Sequence, residues 1–297
     1  VSWHLLYHEW LPPRRIRYNG YMYEPQSLAS IYNDLGCSQH QQQGVAWYEC
    51  NPQGHRRVVL LHGVTGGNRD MLPLARCYVA AGYGVVMIGL PGHDGTRLPE
   101  LASFTDLADW LRHALGVIGQ PVDAIISNSY ASAIVYQAMR QGYIPADTPV
   151  VLACPTPQPS SMANLLQAVS SHAPERVVWT AYNSTPVRSA RTSILLQTKN
   201  KTARAWLHES EKHKAAYTTL RAANLLTSLL YNDNPYHHPL PPTSQAATTV
   251  IMGTKDNVVT AVSRPHMQRL MPHAQFIDAH GAGHILHFEA LESYPMV

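Results

Sequence analysis

Ser127-Asn128-Ser129-Tyr130-Ala131 is the stretch of this chain best suited to do chemistry. It lies between an apolar, strand-like run, Val122 to Ile126, and a helix-like run, Ser132 to Met139. A serine on so sharp a strand-to-helix turn needs small residues two positions before and two after it. Ser127 and Ala131 meet that need where glycines are usual. The turn presents the Ser129 hydroxyl above the sheet. It also aims the first amides of the following helix, Tyr130 foremost, at a developing negative charge. The chemistry is nucleophilic: a hydroxyl attacks an electrophilic carbon, a base takes its proton, and an acid orients the base. The chain has 17 histidines, so position and not residue type must identify the base.

The partners have to arrive on other strands. Arg57 to Leu61 reads as a short buried strand and runs into His62-Gly63-Val64-Thr65-Gly66-Gly67-Asn68. Glycine in such a loop lets the backbone approach a substrate closely. A phosphate-cradling loop would need a Lys-Ser/Thr pair after its last glycine, and Asn68-Arg69-Asp70 argues against one. Val85 to Leu90 is a further strand, followed by Pro91-Gly92-His93-Asp94-Gly95-Thr96. His93 and Asp94 are neighbours on one turn, so their side chains are expected to point apart and not to act as a pair. Val150 to Cys154 leads into Pro155-Thr156-Pro157, which carries no carboxylate. Thr248 to Gly253 leads into Thr254-Lys255-Asp256-Asn257-Val258-Val259, and Gln275 to Asp278 into Ala279-His280-Gly281-Ala282-Gly283-His284.

Taken in this order, these strand ends resemble the motifs of the α/β-hydrolase superfamily, over roughly residues 45–155 and 245–297. The His62-Gly63 pair resembles its oxyanion loop. Pro91 to Thr96 looks like its P-G-H-G-x-S turn with one residue inserted. The G-x-G-H ahead of Ile285-Leu286-His287-Phe288-Glu289 resembles its histidine loop. The resemblance implies Ser129 as nucleophile, His284 as base and Asp256 as orienting acid, with the Val64 and Tyr130 amides as oxyanion donors. His280 and His287 stay open as alternative bases, and Asp278 as an alternative acid. The implied fold is α/β, a doubly wound and mostly parallel sheet with an inserted helical cap. The implied reaction is cleavage of a carboxylic ester or thioester of a small molecule through an acyl-enzyme, with no metal or organic cofactor. Two alternatives use the same fold differently. Acyltransferases and C–C bond hydrolases run on the same triad, the latter often with G-N-S where this chain has S-N-S. A non-catalytic ligand-binding protein is the other.

Length and composition agree with one large enzyme-like domain or two smaller ones: 297 residues, 45% apolar, formal net charge +3. Such a charge calls for no nucleic-acid partner. No apolar stretch reaches the about 18 to 20 residues that span a bilayer. The chain begins at Val1 without methionine, as after removal of a leader, and nothing in it reads as a signal peptide. Strand–helix alternation covers 1–154 and 245–297, the expected core, with 1–44 an irregular wrap or early strands around Ile16–Tyr23 and Val45–Cys50. Residues 155–244 read as the helical cap, with patterns over Met162–Val169, Ser193–Leu196 and Thr202–Leu230. Its excess of Arg and Lys would suit an anionic substrate or an anionic membrane face, or simply a solvated surface. Cys77 and Cys154 fall in predicted core elements, while Cys37 and Cys50 could pair. A reducing, cytoplasmic setting is expected. The oligomeric state is not legible.

Overall fold

Four-residue apolar runs such as Val58–Leu61 and Val85–Ile88 cannot alternate between core and water, so they must lie in the middle of a sheet covered on both faces. The computed structural model, which describes residues 22–158 and 174–297, places them there. The strands are β1 (Ser38–Gln42), β2 (Val45–Cys50), β3 (Arg57–Leu61), β4 (Gly84–Ile88), β5 (Ala124–Asn128), β6 (Val150–Ala153), β7 (Thr248–Gly253) and β8 (Gln275–Ala279). They form one eight-stranded sheet in the order β1-β2-β4-β3-β5-β6-β7-β8. From β4 to β8 neighbouring strands run parallel; the β1–β2 and β2–β4 pairs are antiparallel, so β2 alone runs against the others. All five residues of β4 and of β5 are buried.

Helices cover both faces. One layer packs α3 (Phe104–Ile118) and α4 (Tyr130–Arg140) on the sheet; the other packs α1 (Leu28–Asp34) and α2 (Leu72–Ala80). Ser103 caps α3: Ser103 Oγ accepts the Asp106 amide at 3.2 Å, and Asp106 accepts the Ser103 amide at 2.9 Å. The chain after the glycine loop starts as a 3₁₀ turn, Asn68–Met71, and becomes α-helical at Leu72.

The chain moves from β3 outward to β4, then returns past β3 to β5 and continues the other way. The order therefore reverses between β3 and β5, and a crevice opens at their carboxyl ends. The loops carrying Val64 and Ser129 flank that crevice.

Between β6 and β7 the described residues carry helices and no strand: α5 (Glu175–Tyr182), α6 (Thr185–Leu195), α7 (Lys201–Tyr217), α8 (Leu220–Asn232) and the short α9 (Pro242–Gln245). The stretch expected as one helical pattern over Thr202–Leu230 breaks at Thr218-Thr219. Thr219 Oγ1 accepts the Ala222 amide at 3.1 Å and starts a new helix, and Thr218 is extended and bridges to His93. α10 (Ser263–Leu270) and α11 (Leu286–Glu289) follow β7 and β8. No described helix is long and apolar enough to cross a membrane. The helix expected over Met162–Val169, and all but the last two residues of the strand expected around Ile16–Tyr23, lie outside the described residues.

Cys77 and Cys154 are buried, as expected. Cys37 and Cys50 form a disulfide. Ser38 pairs with Glu49 across the β1–β2 hairpin, so the next residues outward are these two cysteines.

Candidate active site

β5 delivers Ser129 at its carboxyl end with φ 55° and ψ −118°. A residue with a side chain adopts that region only when its surroundings enforce it. Here Ser129 N–H donates to the Ala153 carbonyl of β6 at 2.8 Å, and the Ser132 amide donates to the Ser129 carbonyl at 3.0 Å. The departures from glycine on either side are accommodated. Ser127 is wholly buried, and its hydroxyl donates to the Val151 carbonyl at 3.1 Å, so the extra polar group has an acceptor. Ala131 is wholly buried as well.

β7 and β8 deliver the acid and the histidine. A Cβ on Gly253 would lie 2.0 Å from the Gly283 carbonyl, so only glycine lets the two loops touch. His284 Nδ1 lies 2.7 Å from Asp256 Oδ2, and His284 Nε2 lies 2.7 Å from Ser129 Oγ. The other Asp256 oxygen accepts the Val258 amide at 2.8 Å. Burial opposes the Asp256 charge, but the His284 ring and the Val258 and Val259 amides outweigh it and hold the carboxyl below its ordinary range. An ionised Asp256 keeps the ring proton on Nδ1 and leaves the Nε2 lone pair facing the serine hydroxyl.

The rivals stand elsewhere. Asp278 is held by Arg264 in a two-pronged pair at 2.7 and 3.1 Å. His280 is exposed. His287 is buried against Asn128, and burial, followed by the nearby His284, pushes its pKa down to about 3. It therefore stays neutral, with its Nδ1 turned to Asn128.

The glycine loop closes the other side. A Cβ on Gly63 would sit 3.4 Å from Ser129 Cβ, which sets how closely that backbone approaches the serine. Among the described residues, neither the Val64 nor the Tyr130 amide is given to an acceptor. Both remain available to an incoming oxygen.

Two further residues brace this arrangement, and nothing in the sequence marks either for that role. His93 Nε2 lies 2.7 Å from the Val64 carbonyl and 2.8 Å from Thr218 Oγ1, tying the glycine loop to the junction of α7 and α8. Glu289 accepts three backbone N–H groups: Gly283 at 2.7 Å, Gln197 at 2.8 Å and Thr198 at 2.8 Å. The His284 amide donates to the Leu195 carbonyl at 3.0 Å. The histidine loop is thus laced to the inserted helices at several points.

Among the described residues, one trio has spacing suited to a metal ion: Cys154, Asp256 and His284, with ligand atoms within 4.8 Å of one another. Two of its three members are already engaged in the Ser129–His284–Asp256 chain.

Residues 58–294 match the family model described as the alpha/beta hydrolase family. The chain belongs to that family. Its fold matches a bacterial membrane phospholipase A described as a virulence factor (18% identity, 89% of this chain and 86% of that one, TM-score 0.66). It also matches an enol-lactonase from Burkholderia xenovorans (12%, 85% and 94%, TM-score 0.64). A third match is the 2-hydroxy-6-oxo-6-phenylhexa-2,4-dienoate hydrolase of a Rhodococcus strain (17%, 86% and 94%, TM-score 0.61). No curated protein matches the chain.

Proposed function

We propose that the protein is a serine hydrolase that cleaves a carboxylic ester or thioester through an acyl-enzyme. The observation that carries this reading is the unbroken chain from Asp256 through His284 to a strained Ser129, each link 2.7 Å long. Ser129 Oγ attacks the carbonyl carbon as His284 Nε2 takes its proton, and Asp256 stabilises the imidazolium. The Val64 and Tyr130 amides hold the oxyanion, each such donor being worth about 3 to 4 kcal/mol in the transition state. Collapse expels the alcohol or thiol, protonated by His284. Water activated by the same ring then releases the acid. Residues 155–244 act as a cap over the serine. Arg191 and Lys214 of that cap both pair with Glu211, whose one negative charge offsets one of their two positive charges inside the fold.

A fluorophosphonate probe tests the reading: it labels wild type at Ser129 and not the Ser129→Ala variant. Failure to label wild type, together with no turnover of p-nitrophenyl esters from acetate to palmitate, would favour the non-catalytic binder.

Glu289 acts through the histidine loop. Replacing it with alanine leaves three backbone N–H groups without their acceptor, and we expect kcat to fall about 10- to 100-fold with a smaller change in KM. Steady-state kinetics of Glu289→Ala checks this, and an equal loss confined to KM would contradict it.

The Cys37–Cys50 bridge favours an oxidising compartment over the cytoplasmic setting expected from sequence. Peptide mapping without reductant should recover the two cysteines linked. Closing a loop with a sequence separation of 13 restricts the unfolded chain, and Cys37→Ser should cost about 2 to 3 kcal/mol of stability in denaturant titrations.

A further inference from the structure

Two imidazoles are wholly buried at the glycine loop, His62 and His93, and their rings pack together with centroids 5.2 Å apart. Burial is the main cause that lowers the pKa of both, so each ring is neutral and carries one proton. The hydrogen bonds fix where those protons sit. A backbone amide can only donate, so the Leu90 N–H, 3.2 Å from His62 Nε2, requires a lone pair on that nitrogen. The His62 proton is therefore on Nδ1, and it is given to the Gly63 carbonyl at 2.8 Å. His93 stands between two carbonyls, Pro91 at 3.0 Å from Nδ1 and Val64 at 2.7 Å from Nε2, and the proton of the neutral ring serves the shorter contact. Thr218 Oγ1, 2.8 Å from the same Nε2, anchors the ring to the junction of α7 and α8.

The two carbonyls so held belong to the consecutive peptide groups that meet at the Val64 Cα. The first of these groups also carries the Val64 N–H. Peptide groups here are planar and trans. Holding the Gly63 carbonyl against His62 therefore turns the Val64 N–H the opposite way, out from the buried ring. Holding the Val64 carbonyl against His93 fixes the second plane, so the residue between the two cannot rotate. The Gly66 amide, 2.9 Å from the Gly63 carbonyl, adds to the grip. Gly63 itself stands against the nucleophile: a Cβ on it would lie 3.8 Å from Ser129 Oγ.

We propose that His62 and His93 are positioning residues that together aim the Val64 amide as an oxyanion donor. This rests on the serine-hydrolase reading. Each ring acts through a peptide group and not on the substrate. The hydrogen bond to the Gly63 carbonyl also polarises the Val64 N–H of the same peptide group and strengthens it as a donor. The benefit grows as negative charge develops on the bound oxygen, so it belongs to kcat more than to KM.

The test uses amide side chains that reproduce one ring nitrogen and lose the other. Asparagine Nδ2 takes the place of Nδ1, and glutamine Nε2 that of Nε2. On p-nitrophenyl butyrate, His62→Leu and His93→Leu should each lower kcat about 10- to 100-fold, with KM within about threefold of wild type. His62→Asn and His93→Gln should recover most of that loss, and the mismatched His62→Gln and His93→Asn should not. The His62→Leu, His93→Leu double variant should lose no more than the about 10²- to 10³-fold that one oxyanion donor supplies, since both rings act on one amide. The pH–rate profile should keep its midpoint in every variant, because the triad is untouched. Where circular dichroism shows a leucine variant unfolded, the four amide variants decide. Ser129-dependent turnover with wild-type kcat in folded His62→Leu and His93→Leu overturns this inference alone, as do equal rates in matched and mismatched amides or a displaced midpoint. No Ser129-dependent turnover of any ester overturns the hydrolase reading and this inference with it.

Discussion

On the proposed function, Ser129→Ala should lower ester turnover by at least about 10⁴-fold, to the level that oxyanion donors and binding alone sustain. The size follows from the geometry. With Ser129 Oγ removed, the lone pair of His284 Nε2, 2.7 Å from that oxygen in the native site, faces nothing that can form an acyl bond. Asp256→Asn should cost about 10⁴-fold by a different route. An amide at this position donates to Nδ1 instead of accepting from it, moves the ring proton to Nε2, and turns a donor toward the serine. Three groups acting as one unit do not add. The Ser129→Ala, His284→Ala double variant should therefore be no slower than Ser129→Ala alone, within about threefold. His280→Ala should stay within about threefold of wild type, since that ring is exposed and outside the chain of contacts. The comparison needs only one chromogenic ester and circular dichroism to confirm folding. Wild-type turnover in Ser129→Ala, or losses that multiply in the double variant, would remove the triad from consideration.

The elements that position this chemistry are legible in the sequence because they are local. A buried parallel strand must be a short apolar run, and the residue that follows it must turn. The apolar pattern alone therefore puts Ser129, Asp256 and His284 each beyond a strand end. β1 is not legible for the converse reason. Ser38–Gln42 is polar along its whole length and lies at the sheet edge, so no apolar pattern marks it. Its signal is the turn: Gln43 and Gly44 both have positive φ, 48° and 81°, as a tight hairpin requires. The break in the inserted helices is hidden by an apolar repeat that runs through Tyr217, Leu220 and Ala223 on both sides of it. Only Thr219 as a capping residue announces it. Glu289 lies beyond sequence reasoning altogether. Its partners Gln197 and Thr198 are 92 and 91 residues away, and nothing in the local pattern of α11 distinguishes a glutamate that accepts three amides from one that faces water. Long-range polar contacts have no periodicity, and these are what join the inserted helices to the site.

Asp94→Asn should gain stability relative to wild type as pH rises from about 4 to 7. Asp94 lies on the turn after β4, its side chain 3% exposed, and accepts the Asn68 amide at 2.7 Å. The His62 ring lies 3.7 Å away. That ring offers no compensating charge: His62 Nε2 accepts the Leu90 amide at 3.2 Å, its Nδ1 faces the Gly63 carbonyl at 2.8 Å, and burial holds its pKa well below the ordinary value. Burial therefore dominates and pushes the Asp94 carboxyl up to about 7; the Asn68 amide and Arg69 oppose the rise, and Asp70 adds to it. The sign follows from proton counting. Between about pH 4 and 7 the folded chain keeps this proton and the unfolded chain has lost it, so raising the pH favours unfolding. The stabilisation is complete below the unfolded value and gone above the folded one, and a displacement of this size amounts to about 4 kcal/mol. Asp70, also raised by burial, tilts the wild-type curve in the same direction, while Asp256, held low, and the buried rings of His62, His93 and His287, whose pKa values burial lowers, tilt it the other way, so the difference between wild type and Asp94→Asn isolates the Asp94 contribution. Asparagine keeps an oxygen for the Asn68 amide and cannot ionise. Melting temperatures of wild type and Asp94→Asn should therefore lie close together near pH 4, diverge as the pH rises, and reach their full separation above about pH 7, with the variant the more stable. Curves that run parallel across that range would show that Asp94 is already ionised in the folded protein and that its turn is held by charge and not by a buried, neutral carboxyl.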